Sequence, residues 1–64
     1  MTSGASDLVD IAGELKAETA KAVLFYDGAR EAWLPKSQIE IERRADGTVE
    51  VTLPSWLAKD KGLI

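Results

Sequence analysis

The chain has 64 residues, no histidine and no cysteine, with a formal net charge of −3 and an isoelectric point near 4.7. A chain of this length forms one small domain with a thin core. Without cysteine or histidine it lacks disulfides, the two best zinc ligands and the usual nucleophile pairs, so we predict no metal, no cofactor and no enzymatic activity. The acidic charge disfavours nucleic-acid binding, which depends on Lys and Arg neutralising phosphates.

Residues 1–7 are expected to form a disordered tail and residues 8–64 the single domain. The start lacks the basic segment and apolar run of a secretory signal, and the apolar run 22–26 is too short to cross a membrane. We therefore expect a cytoplasmic protein that does not contact a membrane. Because the disulfides and structural metals that usually stabilise a small domain are missing, we also expect a homo-oligomer.

Residues 8–17 fit two patterns. Leu8, Ile11, Ala12 and Leu15 lie at helical spacing, whereas alternate residues from 9 to 17 fit one face of a strand. Gly13 disfavours a helix, and the alanines disfavour a strand. The pattern alone leaves both alternatives open.

The middle of the chain predicts antiparallel strands. Residues 22–26 are apolar on both faces, which indicates a strand covered on two sides or lying at an interface. Asp27-Gly28 predicts a turn, residues 30–34 a returning strand, and Pro35 its end. Residues 39–43 and 48–53 alternate around the Asp46-Gly47 turn and predict a hairpin.

The C-terminal segment predicts a short helix. Pro54 suits the first helical turn, Ser55 can satisfy a free amide there, and Gly62 suits a left-handed C-terminal cap that lets Leu63 fold back. Trp56 and Leu57 are adjacent, so only one of them can face the core squarely. Trp56 is the better candidate for an exposed aromatic side chain.

Candidate binding residues cluster in the segment 33–38. Trp33 could stack on a ligand, Lys36 could meet an anion, and Ser37 and Gln38 could fix its orientation. In the alternative interpretation Trp33 packs in the core or in the seam of a dimer, and the two polar residues cap a one-turn helix. Arg43 and Arg44 could grip an anion or could simply be solvated. The predicted ligand-binding residues are Trp33, Lys36, Ser37, Gln38, Arg43, Arg44 and Trp56.

Four motifs carry a resemblance to a family: Gly13-Glu14, Glu18-Thr19-Ala20-Lys21-Ala22, residues 33–39 and residues 54–62. With them the chain resembles short, mostly uncharacterised proteins of phages, prophages and bacteria. The resemblance implies a small, five-stranded, antiparallel, barrel-like (SH3-like) sheet with a short C-terminal helix. It also favours a strand for residues 8–17 and places the first hairpin turn at residues 18–21.

The phage setting implied by the resemblance suggests accessory work around DNA replication or antagonism of host defence. Three hypotheses follow for this non-enzymatic module. The first is sequestration of an anionic, nucleotide-like small ligand at a subunit interface. The second is inhibition of a host protein, with the acidic face acting as a decoy. The third is a single-stranded nucleic-acid accessory role.

Overall fold

The computed structural model describes residues 7–64, and most of its elements are strands. The elements are β1 (Leu8–Glu18), β2 (Ala22–Tyr26), β3 (Glu31–Pro35), a one-turn 3₁₀ helix (Lys36–Gln38), β4 (Glu40–Arg43), β5 (Val49–Pro54) and α1 (Ser55–Asp60). The prediction of a mainly β chain with a short C-terminal helix is confirmed. The segment whose pattern was ambiguous is a strand. Of the predicted tail, residues 1–6 lie outside the described residues.

The five strands form one antiparallel sheet in the order β3-β2-β1-β5-β4. The long strand β1 is central, because its first half pairs with β5 and its second half with β2. β3 and β4 are the edges, and within residues 7–64 no ladder joins them, so the sheet is open.

Gly13 is the point at which β1 changes partner. The ladder with β5 ends at the pair Gly13↔Val49, and the ladder with β2 begins at Glu14↔Tyr26. A Cβ atom at position 13 would lie 2.8 Å from Phe25 Cζ and closer still to the carbonyl oxygen of Tyr26. Only glycine lets the β2 backbone approach this closely. A bulge between Leu15 and Ala17 bends β1 further.

The core lies on the inner face of the sheet, against α1. Alternation along β2 and β5 sends every second side chain inward, as the sequence predicts for residues 49, 51 and 53. The buried apolar side chains are Val23, Phe25, Leu34, Val49, Val51, Leu53, Leu57, Ala58 and Leu63. Each large member contributes about 1.5–3 kcal/mol of transfer free energy, so this small set carries much of the stability.

The predicted cap at the C-terminal end of α1 is present, whereas the predicted role of Ser55 at the N-terminal end is not. Pro54 precedes the helix as the last residue of β5, and the Ser55 hydroxyl donates to the Asp7 carboxylate instead of accepting from a helical amide. That role of Ser55 was therefore predicted wrongly. At the other end, Gly62 has φ +76°, and the Leu63 amide donates to the Ala58 carbonyl, which confirms the predicted cap.

Candidate binding surface

Trp33 stands on the outer face of the sheet, in the middle of the edge strand β3. Its neighbour Leu34 is fully buried, and alternation places the indole on the opposite side, where it is 45% exposed. Of the two alternatives for Trp33, packing in the core of its own chain is therefore wrong. A large aromatic side chain that remains this exposed can bury solvent-accessible apolar surface when a partner binds.

The side chains around Trp33 are apolar. Trp33 lies directly opposite Leu24, which in turn lies opposite Ala17, so one apolar row crosses three strands. Ala22 and Pro35 form the adjacent pair on the same face. We call these five residues, Ala17, Ala22, Leu24, Trp33 and Pro35, the Trp33 face. The apolar run 22–26 was expected to be either covered on two sides or part of an interface. The outer side of β2 is only half covered within the chain, which favours an interface.

The Trp33 face is bordered by charged and polar groups. On one side, Tyr26 lies opposite both Glu14 and Glu31, and the Lys16 ammonium lies 5.0 Å from the centroid of the Tyr26 ring. On the other side β3 runs into the 3₁₀ helix that begins at Lys36. An apolar centre with a polar rim is the usual anatomy of a protein-binding patch.

Lys36 does not present a free ammonium. Its Nζ lies 2.6 Å from Glu18 Oε2 at the end of β1. The hydrogen bond and the charge of Lys36 lower the pKa of Glu18 below its ordinary value, with a smaller contribution from Arg43. The sequence pattern did not single out Glu18, because eighteen residues separate it from Lys36.

The two arginines are exposed and paired with acids. Arg43 Nη2 lies 3.5 Å from Glu18 Oε1, and Arg44 Nη2 lies 3.3 Å from Glu50 Oε1. Lys36 and Arg43 thus both contact the Glu18 carboxylate, whereas Arg44 pairs with Glu50 on β5. An anion arriving at this point would compete with Glu18 for both cations.

Ser37 and Gln38 are exposed on the 3₁₀ helix, between two shallow hollows. Ser37 lines both hollows, and Gln38 lines the one of about 200 Å³ that also touches Leu8, Glu40 and Pro54. The other, of about 440 Å³, lies beside Lys21 and Lys36. In residues 7–64 this short helix has no side-chain cap hydrogen bond, and the Ser37 hydroxyl and the Gln38 amide are exposed to solvent.

Trp56 is 59% exposed on the outward side of α1, while its neighbour Leu57 is buried. The prediction that one of the two faces the core and the other lies outside is confirmed. Trp56 sits on a different element from the Trp33 face, in a polar stretch that contains Lys59 and Asp60. It serves best as an internal comparison for Trp33.

The outer surface formed by the first half of β1 together with β5 and β4 is acidic. Cross-strand pairing places Asp10, Thr52 and Glu40 in one row, and Ala12, Glu50 and Glu42 in the next. We call the four carboxylates Asp10, Glu40, Glu42 and Glu50 the acidic face. The bent sheet therefore presents two outer surfaces, one apolar and one negative.

No group of three or more potential ligands that could hold a metal ion occurs among residues 7–64. The helical segments of the same residues lack the length and apolar character needed to cross a membrane. Comparison with protein-family models, with curated proteins and with solved structures finds no match to this chain.

Proposed function

We propose that this chain is a non-enzymatic binding module that engages a partner protein through the Trp33 face. The observation that carries the proposal is the exposed indole of Trp33 opposite the half-buried Leu24, in an apolar row that nothing in residues 7–64 covers. Exposed tryptophans at the centre of such patches are frequent binding hot spots. In the phage setting that the resemblance implies, the partner is a host factor in the bacterial cytoplasm and the chain is its inhibitor.

An apolar partner patch suits this surface better than a charged one. Burying a tryptophan removes about 150–250 Å² from water, and the neighbouring Leu24 and Pro35 extend the contact without polar groups that need new partners. The Glu14, Lys16 and Glu31 border then fixes orientation. The SH3-like form of the sheet remains part of this proposal, since small sheets of that kind commonly bind partners on an exposed aromatic surface.

The test is affinity capture from bacterial lysate with three tagged variants. Trp33→Ala removes the centre of the face, Trp56→Ala removes a still more exposed tryptophan elsewhere, and a triple variant reverses the charges of Glu40, Glu42 and Glu50. The proposal expects one specific protein to be captured by the native chain, by Trp56→Ala and by the triple variant, and to be lost with Trp33→Ala. Capture that depends on the glutamates and not on Trp33 would favour the acidic decoy instead.

A second candidate function is capture of an anionic, nucleotide-like ligand, and one contact favours it. Lys36 and Arg43 both point at the Glu18 carboxylate, which occupies the position that a ligand phosphate would take. Glu18→Gln should then raise the thermal stabilisation given by a panel of cyclic nucleotides. If neither the native chain nor Glu18→Gln is stabilised by any of them, this candidate fails.

Single-stranded nucleic acid is the least supported ligand. The arginines that would track its phosphates are paired with Glu18 and Glu50, and the acidic face repels a polyanion. The absence of any change in tryptophan fluorescence with an oligonucleotide at low salt would exclude it.

A further inference from the structure

The edge strand β3 has main-chain groups that point away from the sheet. The amide of Lys36 donates to the carbonyl of Lys21, and the amide of Asp27 donates to that of Arg30, which fixes the alternation of the ladder between β2 and β3. In this alternation Glu31 and Trp33 occupy non-hydrogen-bonded positions. Their N–H and C=O groups therefore face outward, and no other strand in residues 7–64 pairs with them.

The two edges of the sheet differ in how they are protected. β4 carries Glu40, Glu42 and Arg43, and charges of this kind keep an edge from pairing with another chain. β3 carries Ala32, Trp33 and Leu34 at its centre, with one charge at its start. Pro35 lacks an amide, but its position is the last of the strand. β3 is thus the edge that is open to a further strand.

The ends of β3 have opposite net charge. The N-terminal end lies beside Asp27, Arg30 and Glu31, which together carry one net negative charge. The C-terminal end lies beside Lys21, Lys36 and the paired Glu18, which together carry one net positive charge. Antiparallel pairing of β3 with another β3 brings each negative N-terminal end against a positive C-terminal end, whereas parallel pairing would bring ends of like charge together.

We propose that two copies of this chain associate by antiparallel pairing of their β3 strands, so that one continuous sheet runs through both. The two-fold axis passes at Ala32, because in this register Glu31 and Trp33 of each copy exchange hydrogen bonds and Pro35 stays outside the central pairs. The interface is isologous, as is usual for small dimers. It uses the edge and leaves the outer face free.

The pairing also changes the Trp33 face. Alternation keeps both indoles on the same side of the joined sheet, in diagonally adjacent positions. The two Trp33 faces then lie side by side on one outer surface, with Glu31 of each copy directly opposite Trp33 of the other. The inference stands on the edge and its charges, and it does not depend on which partner that surface binds.

Sedimentation velocity across a concentration series tests the proposal with two matched proline variants. Glu31→Pro removes an outward amide of β3 without removing a hydrogen bond of the ladder with β2. Arg43→Pro does the same on β4, because Arg43 lies opposite Val49 at a non-hydrogen-bonded position. The native chain and Arg43→Pro should sediment as dimers, and Glu31→Pro as a monomer with an unchanged circular dichroism spectrum.

Single-cysteine cross-linking gives the register, since the chain contains no cysteine of its own. Ala32→Cys places two thiols in a non-hydrogen-bonded pair at the axis, where Cβ atoms lie about 4.5–5.5 Å apart. It should form a covalent dimer faster than the exposed control Ser37→Cys. A monomeric native chain, a dimeric Glu31→Pro or faster coupling of Ser37→Cys would each overturn the proposal. A monomer that still captures its partner through Trp33 would leave the proposed function standing.

Discussion

Replacing Gly13 by alanine tests the account of how the sheet bends. Alanine normally stabilises the interior of a strand by about 0.5–1 kcal/mol relative to glycine. Here its methyl group would lie 2.8 Å from Phe25 Cζ and would overlap the Tyr26 carbonyl oxygen, which belongs to the backbone and cannot rotate away. Overpacking costs about 1–3 kcal/mol, and disturbing the adjacent Glu14↔Tyr26 pair adds about 1 kcal/mol. Subtracting the gain that alanine normally brings leaves an expected net loss of about 1–3.5 kcal/mol.

Such a loss is a large fraction of the stability of this chain, because a domain of this size has about 3–10 kcal/mol in total. Urea titration followed by far-ultraviolet circular dichroism measures it, and tryptophan fluorescence is a poor substitute since both indoles are already exposed. Gly47→Ala is the matched control. Its added Cβ meets no atom within 4 Å, so it should lose only about 1–2 kcal/mol from its positive φ. A stabilised or unchanged Gly13→Ala protein would refute the reasoning.

Three further predictions concern the core and the carboxylates. Phe25→Ala should lose about 3–5 kcal/mol because the ring is fully buried, and a urea midpoint equal to that of the native chain would contradict its place in the core. The pKa values of Glu18, Asp27 and Asp46 are all lowered by hydrogen bonds in the folded chain, from Lys36, from the Arg30 and Ala29 amides and from Thr48 respectively. Their stabilising contribution is therefore complete above the unfolded pKa of about 4 and is lost as pH falls through the folded values, so the melting temperature should drop between about pH 5 and pH 2. Glu18→Gln should make that drop smaller, and an identical pH profile would show that the pairs with Lys36 and Arg43 do not stabilise the fold.

Local patterns were sufficient to predict most of the elements. Period-two alternation with an Asp-Gly turn specified the hairpin of β4 and β5, and Gly62 specified the end of α1. These signals work because they depend on neighbours in the sequence. The strand order could not be predicted in this way. The ladder between β1 and β5 joins segments that are far apart in the sequence, and neither segment's pattern indicates which strand it pairs with.

The site was predictable in part. The sequence identified Trp33 and Lys36, but it could not decide whether the indole was buried, since that depends on which side of β3 faces the core. The sequence did not single out Leu24, because a strand that is apolar on both faces can be covered on two sides or lie at an interface. Glu18 was missed for a related reason: it meets Lys36 and Arg43 only after three separate elements have assembled.

The ladder between β1 and β5 sets the order in which this chain can fold during synthesis. The three-stranded unit β1–β2–β3 and the hairpin of β4 and β5 are each built from local contacts, which form quickly. The pair Leu8↔Pro54, by contrast, unites the two ends of the described segment. The ribosome must release β5 before the inner face of β1 is covered, so we expect the nascent chain to expose this apolar surface until β5 has emerged.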